Sequence, residues 1–180
     1  IHRPPLIFRS VQAGDAALIL EMHERLSVDT IFNRYFSPRV PTSHEIAQIC
    51  QLTGENGRAI VAVASGKKSE VVGMAYFMAS GWGTAEPALL VEDKYQGQGV
   101  GKRLFHELTC LAIEQGVRYF EALVLPGNRP MIHLLHNAGL VVQNRLDYGT
   151  REMKVQLTAV NPDILDGRRR SVETVAYLTI

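Results

Sequence analysis

The stretch Tyr95–Lys102, YQGQGVGK, places glycine at three alternate positions, Gly97, Gly99 and Gly101. It follows an apolar run, Pro87–Asp93 (PALLVED), and opens into Lys102–Gly116 (KRLFHELTCLAIEQG), which has helical patterning. Glycine permits left-handed backbone and close approach by a ligand. The start of a helix offers unpaired N–H groups and the positive end of its dipole. Together they predict an anion site, with phosphate as its ligand. They also fix a strand–loop–helix order that the rest of the chain must accommodate.

The surrounding pattern supplies the other elements. Leu6–Val11 reads as a first strand, Gly14–Leu26 as a helix capped by Asp15, and Ser27–Phe36 as a second short helix. Thr42 and Glu45 have capping-box spacing ahead of Ile46, Ile49 and Leu52, which predicts a third helix. Arg58–Ser65 and Glu70–Ser80 read as strands joined by a short hairpin, and Ala85–Asp93 as a fourth strand. Pro87 within that strand has no N–H for a ladder, so it implies an edge, a strand start or a bulge. In the glycine-loop helix, Val100, Leu104, Leu108, Leu111 and Ala112 share one face. Arg118–Leu125 is a fifth strand. Asn128 caps a short helix with Pro130 in its first turn and Gly139 as its stop. Two closing strands flank Asp147–Gly149. Strands and helices mix in one α/β (α+β) domain over residues 1–157, and residues 158–180 form an extension of unassigned role.

Three phosphate-binding patterns compete for the loop. A P-loop needs four residues between its glycines and then Lys and Ser or Thr; Gly97 to Gly101 is one residue short and Arg103 stands at the hydroxyl position. A dinucleotide loop needs its third glycine where Lys102 stands, and the hairpins upstream oppose a doubly wound sheet. The third pattern fits: Gln96, Gly99 and Gly101 give Q-x-x-G-x-G. With a strand before it, a helix after it and the Asn128–Gly139 block downstream, the chain from about Leu6 to Leu157 resembles the GNAT acetyltransferases, whose acetyl-CoA pyrophosphate loop has this form.

The resemblance implies a GNAT fold: a mostly antiparallel sheet of about seven strands, flanked by helices, with acetyl-CoA in the splay between strands four and five. It implies that the backbone of Leu89, Leu90 and Val91 meets the pantetheine and thioester. Gln96, Gly97, Gln98, Gly99, Val100, Gly101 and Lys102 would hold the pyrophosphate, and Asn128 would reach the cofactor arm or serve only as a helix cap. The segments AEPALLVEDKYQGQGVG and NRYFSPRVPTSHEIAQICQL resemble the Pat-type bacterial protein lysine acetyltransferases more closely. By that resemblance Glu86 is the general base. A lysine amine has an ordinary pKa of about 10.4 and must lose a proton before attacking a thioester. Glu92, beside Asp93, is the second carboxylate and reads as a solvated rim. Many GNAT enzymes carry a proton-donating Tyr seven residues after the Asn; Leu135 stands there, flanked by His133 and His136, which read as surface residues. The Pat-type branch also lacks the Tyr.

Composition narrows the partners. A net charge of +1 opposes a broad nucleic-acid-binding face and a polybasic membrane anchor. No apolar run reaches membrane-spanning length, and the first ten residues are too interrupted for a signal peptide. Cys50 and Cys110 lie in no metal-ligand spacing, so no metal is expected, and two cysteines favour a reducing, cytoplasmic setting. Arg168–Arg170 reads as a solvated tail. The acceptor is expected to be a protein lysine. A small amine and a silent acetyl-CoA-sensing domain are the alternatives.

Overall fold

The structure is a computed structural model and describes residues 4–66 and 68–158. Its elements are β1 (Leu6–Ser10), α1 (Asp15–Glu24), α2 (Val28–Tyr35), α3 (Ser43–Cys50), β2 (Gly57–Ala64), β3 (Glu70–Gly81), β4 (Thr84–Val91), α4 (Val100–Glu114), β5 (Tyr119–Val124), α5 (Arg129–Ala138), β6 (Gly139–Asp147) and β7 (Thr150–Leu157). The seven strands form one sheet in the order β1-β2-β3-β4-β5-β7-β6. Neighbours are antiparallel except β4 and β5, which are parallel and joined through α4. This is the expected mixed fold. The extension and its arginine run lie outside the described residues.

β2 and β3 are almost continuously apolar because helices cover both faces of the sheet. On one face α1 and α3 set Ile19, Met22 and Ile46 against Val61, Val71, Met74 and Tyr76. On the other, α4 and α5 set Leu104, Phe105, Leu108 and Leu135 against Ile60, Phe77, Phe120 and Met153. Burial of each large apolar side chain is worth roughly 1.5–3 kcal/mol over exposure. No described helix is long and apolar enough to cross a membrane.

The capping box forms as expected: the Thr42 hydroxyl accepts from the Glu45 N–H, and the Glu45 carboxylate accepts from the Thr42 N–H. Gly139 ends α5 by close approach rather than by a left-handed turn. A Cβ there would lie 2.0 Å from the Gln156 carbonyl oxygen, so β6 and β7 can meet only at a residue without one. Asp15 is not the cap of α1. Gly14 takes that position without a side-chain bond. The Asp15 carboxylate instead accepts two N–H bonds from Arg9 on β1, at 2.7 and 2.8 Å, and one from the Gln12 amide at 2.7 Å. Arg9 holds the Asp15 carboxyl below its ordinary value.

His23 on α1 is wholly buried beneath α2. The Ile19 carbonyl, 2.7 Å from Nδ1, can only accept, so Nδ1 carries the proton and Nε2 accepts from the Tyr35 hydroxyl at 2.8 Å. Burial lowers the His23 pKa and pushes the Tyr35 hydroxyl up to about 12. Because the folded pKa is depressed, stability from His23 is fully present above its ordinary value of 6.5 and is lost as pH falls below it. The melting temperature is therefore expected to fall between pH 7 and pH 5. A His23→Gln variant should show a shallower fall, read by calorimetry across that range.

Candidate functional site

β4 and β5 pair only at Thr84 with Tyr119 and at Ala85 with Phe120, and then part. Pro87 stands two residues past the last pair, where β4 has lost one neighbour and a missing N–H costs no ladder bond. Of the three settings the proline allowed, the structure has a local edge and not a bulge. The β3–β4 register runs unshifted through Phe77 and Pro87, and the irregularity lies between Ala79 and Gly81.

The gap opens into a cavity of about 510 Å³. Residues 87–91 of β4 form one side and Ala122, Leu123 and Val124 of β5 the other. The glycine loop closes one end. Gly97 and Gly99 have φ of 67° and 83°, left-handed values that side chains disfavour, and a Cβ on either would meet nothing within 4 Å. Behind them α4 presents the unpaired amides of its first turn, with no acidic residue in that turn, and Lys102 lines the same wall. Open backbone, helix dipole and cation fit a pyrophosphate. The parted strands fit an extended arm.

Of the residues expected from the sequence, Leu89, Leu90, Val91, Gln96, Gly97, Gly99, Gly101, Lys102 and Asn128 line this one cavity. Asn128 does so while its side chain accepts from the Met131 N–H at 3.2 Å and caps α5. Three others do not line it. Val100 is buried in the core, Gln98 turns its amide back to the Lys94 carbonyl at 2.6 Å, and Glu86 is exposed at the rim. Glu86 shares a sheet face with Ala88 and Leu90 and pairs in register with the exposed Met78.

Glu92 is no solvated rim. It is 3% exposed and ion-paired with Arg25 at 3.1 Å and Lys94 at 2.8 Å. The strand end that sequence order makes terminal is covered by Arg25 at the end of α1, which no local pattern announces. Leu135, at the position of the missing Tyr, is fully buried. His133 is exposed yet lines the cavity from α5, which the sequence did not indicate.

α2 forms a wall that the sequence reading missed. Thr30, Asn33 and Arg34 line the cavity. The Gln96 amide donates to Thr30 Oγ1 at 3.0 Å and to the Val91 carbonyl at 2.9 Å. Asp93 accepts from the Ser27 N–H at 2.9 Å, from Ser27 Oγ at 2.5 Å and from Thr30 Oγ1 at 2.8 Å. Burial would raise the Asp93 carboxyl; the bonds from Ser27 and Thr30 outweigh it and hold the group below its ordinary value. Thr30 and Arg34 are spaced i, i+4, which places them on one helix face. That spacing was legible, but nothing marked the face as turned toward the loop. Among the described residues no group of three or more His, Cys, Asp or Glu gathers as a metal site.

Residues 25–140 match the model of the acetyltransferase (GNAT) family. Acetyltransferase Pat of Mycolicibacterium smegmatis is 28% identical over 174 residues, covering 93% of this chain and 52% of that protein, so the chain spans about half the length of this curated relative. The GNAT domain of S. lividans PAT superposes with a TM-score of 0.72 at 26% identity, over 83% of this chain and 89% of that one. An acetyltransferase of Salmonella typhimurium, solved with its cofactor acetyl-CoA, superposes at 0.65 over 85% of this chain and 94% of that one; at 23% identity this likeness bears on the fold alone.

Proposed function

Because the chain belongs to the acetyltransferase (GNAT) family, and is thus an acetyl-CoA-dependent N-acetyltransferase, we propose that its acceptor is a protein lysine and that Glu86 is its general base. The observation that carries the acceptor is the place of Glu86, exposed near the start of β4 and outside the cavity assigned to acetyl-CoA. Among the described residues the lining of that cavity includes Arg34, Lys102 and His133 and no Asp or Glu, which suits an anionic cofactor and not a polycationic acceptor. An exposed Glu86 suits an acceptor that arrives on the surface of another folded protein, and the Pat-type sequence resemblance points the same way.

In this reading the pyrophosphate of acetyl-CoA lies against Gly97, Gly99 and the first amides of α4, with Gln96 fixing the loop. Lys102 adds charge. Asn128 reaches the arm, and the backbone of Leu89, Leu90 and Val91 meets the pantetheine and thioester. Glu86 takes a proton from the incoming ammonium. The amine nitrogen bonds to the carbonyl carbon, its remaining extra proton passes to solvent, the carbon–sulfur bond breaks, and CoA leaves as the thiolate.

The test sets a purified acyl-CoA synthetase against a panel of small amines, each with acetyl-CoA, and maps the products by mass spectrometry. Lysine modification on the protein is expected to exceed turnover of every small amine. A small amine turned over far faster would overturn the acceptor. CoA binding with no acetylated product from any acceptor would favour the silent, sensing alternative.

A further inference from the structure

Arg34 is the cavity's least explained group. It is half-buried, and among the described residues no carboxylate pairs with it. It is nonetheless held in place. Its guanidinium donates to the Tyr76 hydroxyl and lies 5.0 Å from the centre of the Tyr35 ring and 5.4 Å from that of Tyr76. Both are cation–π distances. Tyr76 is itself 5% exposed and pairs in register with Ala88. Arg34 therefore stands over β4 at the level of Ala88, beside the backbone of Leu89 and Leu90 and on the sheet face that carries Glu86.

The direction of α2 sharpens the placement. Thr30 bonds to Gln96 at the phosphate end of the cavity. Arg34 lies one turn on, about 6 Å along the helix axis. The helix thus runs from the pyrophosphate loop toward the stretch of β4 assigned to the thioester. On α5, Leu135, at the position of the missing Tyr, is buried in the core outside the cavity lining. A positioned cation with no carboxylate partner among the described residues faces the place where negative charge develops.

We propose that Arg34 is a catalytic electrostatic residue that stabilises the negative charge passing from the thioester oxygen to the departing sulfur. The carbon–sulfur electron pair leaves with sulfur, the ammonium proton goes to Glu86 and the second nitrogen proton to solvent, and the thiolate departs beside Arg34 without being protonated first. Tyr76 is the positioning residue, since it fixes Arg34 without facing the cavity. The proposal rests on the acetyl-transfer reading above.

Two measurements test it. Arg34→Gln should lower kcat by about 10²–10³-fold, the cost typical of removing one such donor, with little change in KM for acetyl-CoA. The second needs no acceptor. At pH 8.5, near the ordinary pKa of a thiol, calorimetry compares CoA with desulfo-CoA, which lacks the sulfur. The parent should prefer CoA by about fivefold, the effect at that pH of a one-unit shift by a neighbouring opposite charge. Arg34→Gln should lose that preference, Arg34→Lys should keep part of it, and His136→Gln, exposed on α5 outside the cavity lining, should keep it whole. Parent-level kcat in Arg34→Gln, or an unchanged CoA preference there, overturns the proposal. So does loss of the preference in Arg34→Lys as well, which would mark a defect of fold rather than of charge. A wrong acceptor leaves the binding measurement intact, whereas a parent that fails to bind CoA would overturn both readings.

Discussion

Glu86→Gln is expected to lower turnover by about 10²–10⁴-fold while leaving acetyl-CoA binding unchanged, because the substitution keeps the shape and removes only the base. Glu86 lies at the exposed rim of β4, outside the cavity lining, so no cofactor contact is lost. Steady-state rates from pH 6 to 9, beside a thermal shift with acetyl-CoA, separate the two effects. Wild-type rates across that range would remove Glu86 from the mechanism. Glu92 would not then take its place. Its carboxylate is buried between Arg25 and Lys94, and Glu92→Gln should lower the melting temperature of the free protein along with activity. A base substitution leaves the fold alone, so the melting curve tells the two carboxylates apart.

Acetyl-CoA at about 100 times its Kd should add ~2.7 kcal/mol of stability, and Gly101→Val should abolish most of that gain. A Cβ at Gly101 would sit 3.4 Å from Leu89 Cδ2 and 3.5 Å from Val91 Cγ2, ordinary contact distances, so Gly101→Ala should fold and still bind. The branches of Val extend further, into the mouth of the cavity beside the first amides of α4. Gly99→Val is the less informative variant: φ of 83° there strains any β-branched residue, by about 1–2 kcal/mol or more, before a ligand is considered. Melting curves with acetyl-CoA, with ATP and without ligand decide the matter. A shift with ATP equal to that with acetyl-CoA, or a full shift in Gly101→Val, would contradict the assignment of the loop.

The parts of this molecule that were legible in its sequence are those written over short distances. Thr42 and Glu45 form a capping box three residues apart, and Val100, Leu104, Leu108 and Ala112 repeat at helical spacing. The glycine loop follows the same rule, since the left-handed turns at Gly97 and Gly99 are properties of its own backbone. What the sequence concealed depends on how separate elements pack, whether six residues apart or 67. Asp15 reads as a cap until Arg9 on β1 claims it. Glu92 reads as a rim until Arg25, 67 residues earlier, covers it. Arg34 reads as one more helix-surface cation, and only the packing of α2 along β4 turns it into the cavity. Pro87 was read correctly as a sign of disturbed pairing, but a proline in a strand cannot say whether the cause is a bulge or the departure of a neighbouring strand.

The clasp between Asp93, Ser27 and Thr30, with Gln96 on the same threonine, makes the phosphate loop and the wall of α2 one mechanical piece. Thermodynamic reciprocity then applies. If an acceptor prefers one placement of α2, it must by the same factor favour the loop geometry joined to that placement, and acetyl-CoA must in turn alter acceptor affinity equally. Double-mutant cycles between Thr30 and the acceptor-facing surface would express that coupling as an energy. For redesign, the clasp sets a trade: a new acceptor obtained by moving α2 perturbs the grip on the nucleotide, whereas one obtained at the Glu86 rim, beyond the clasp, does not.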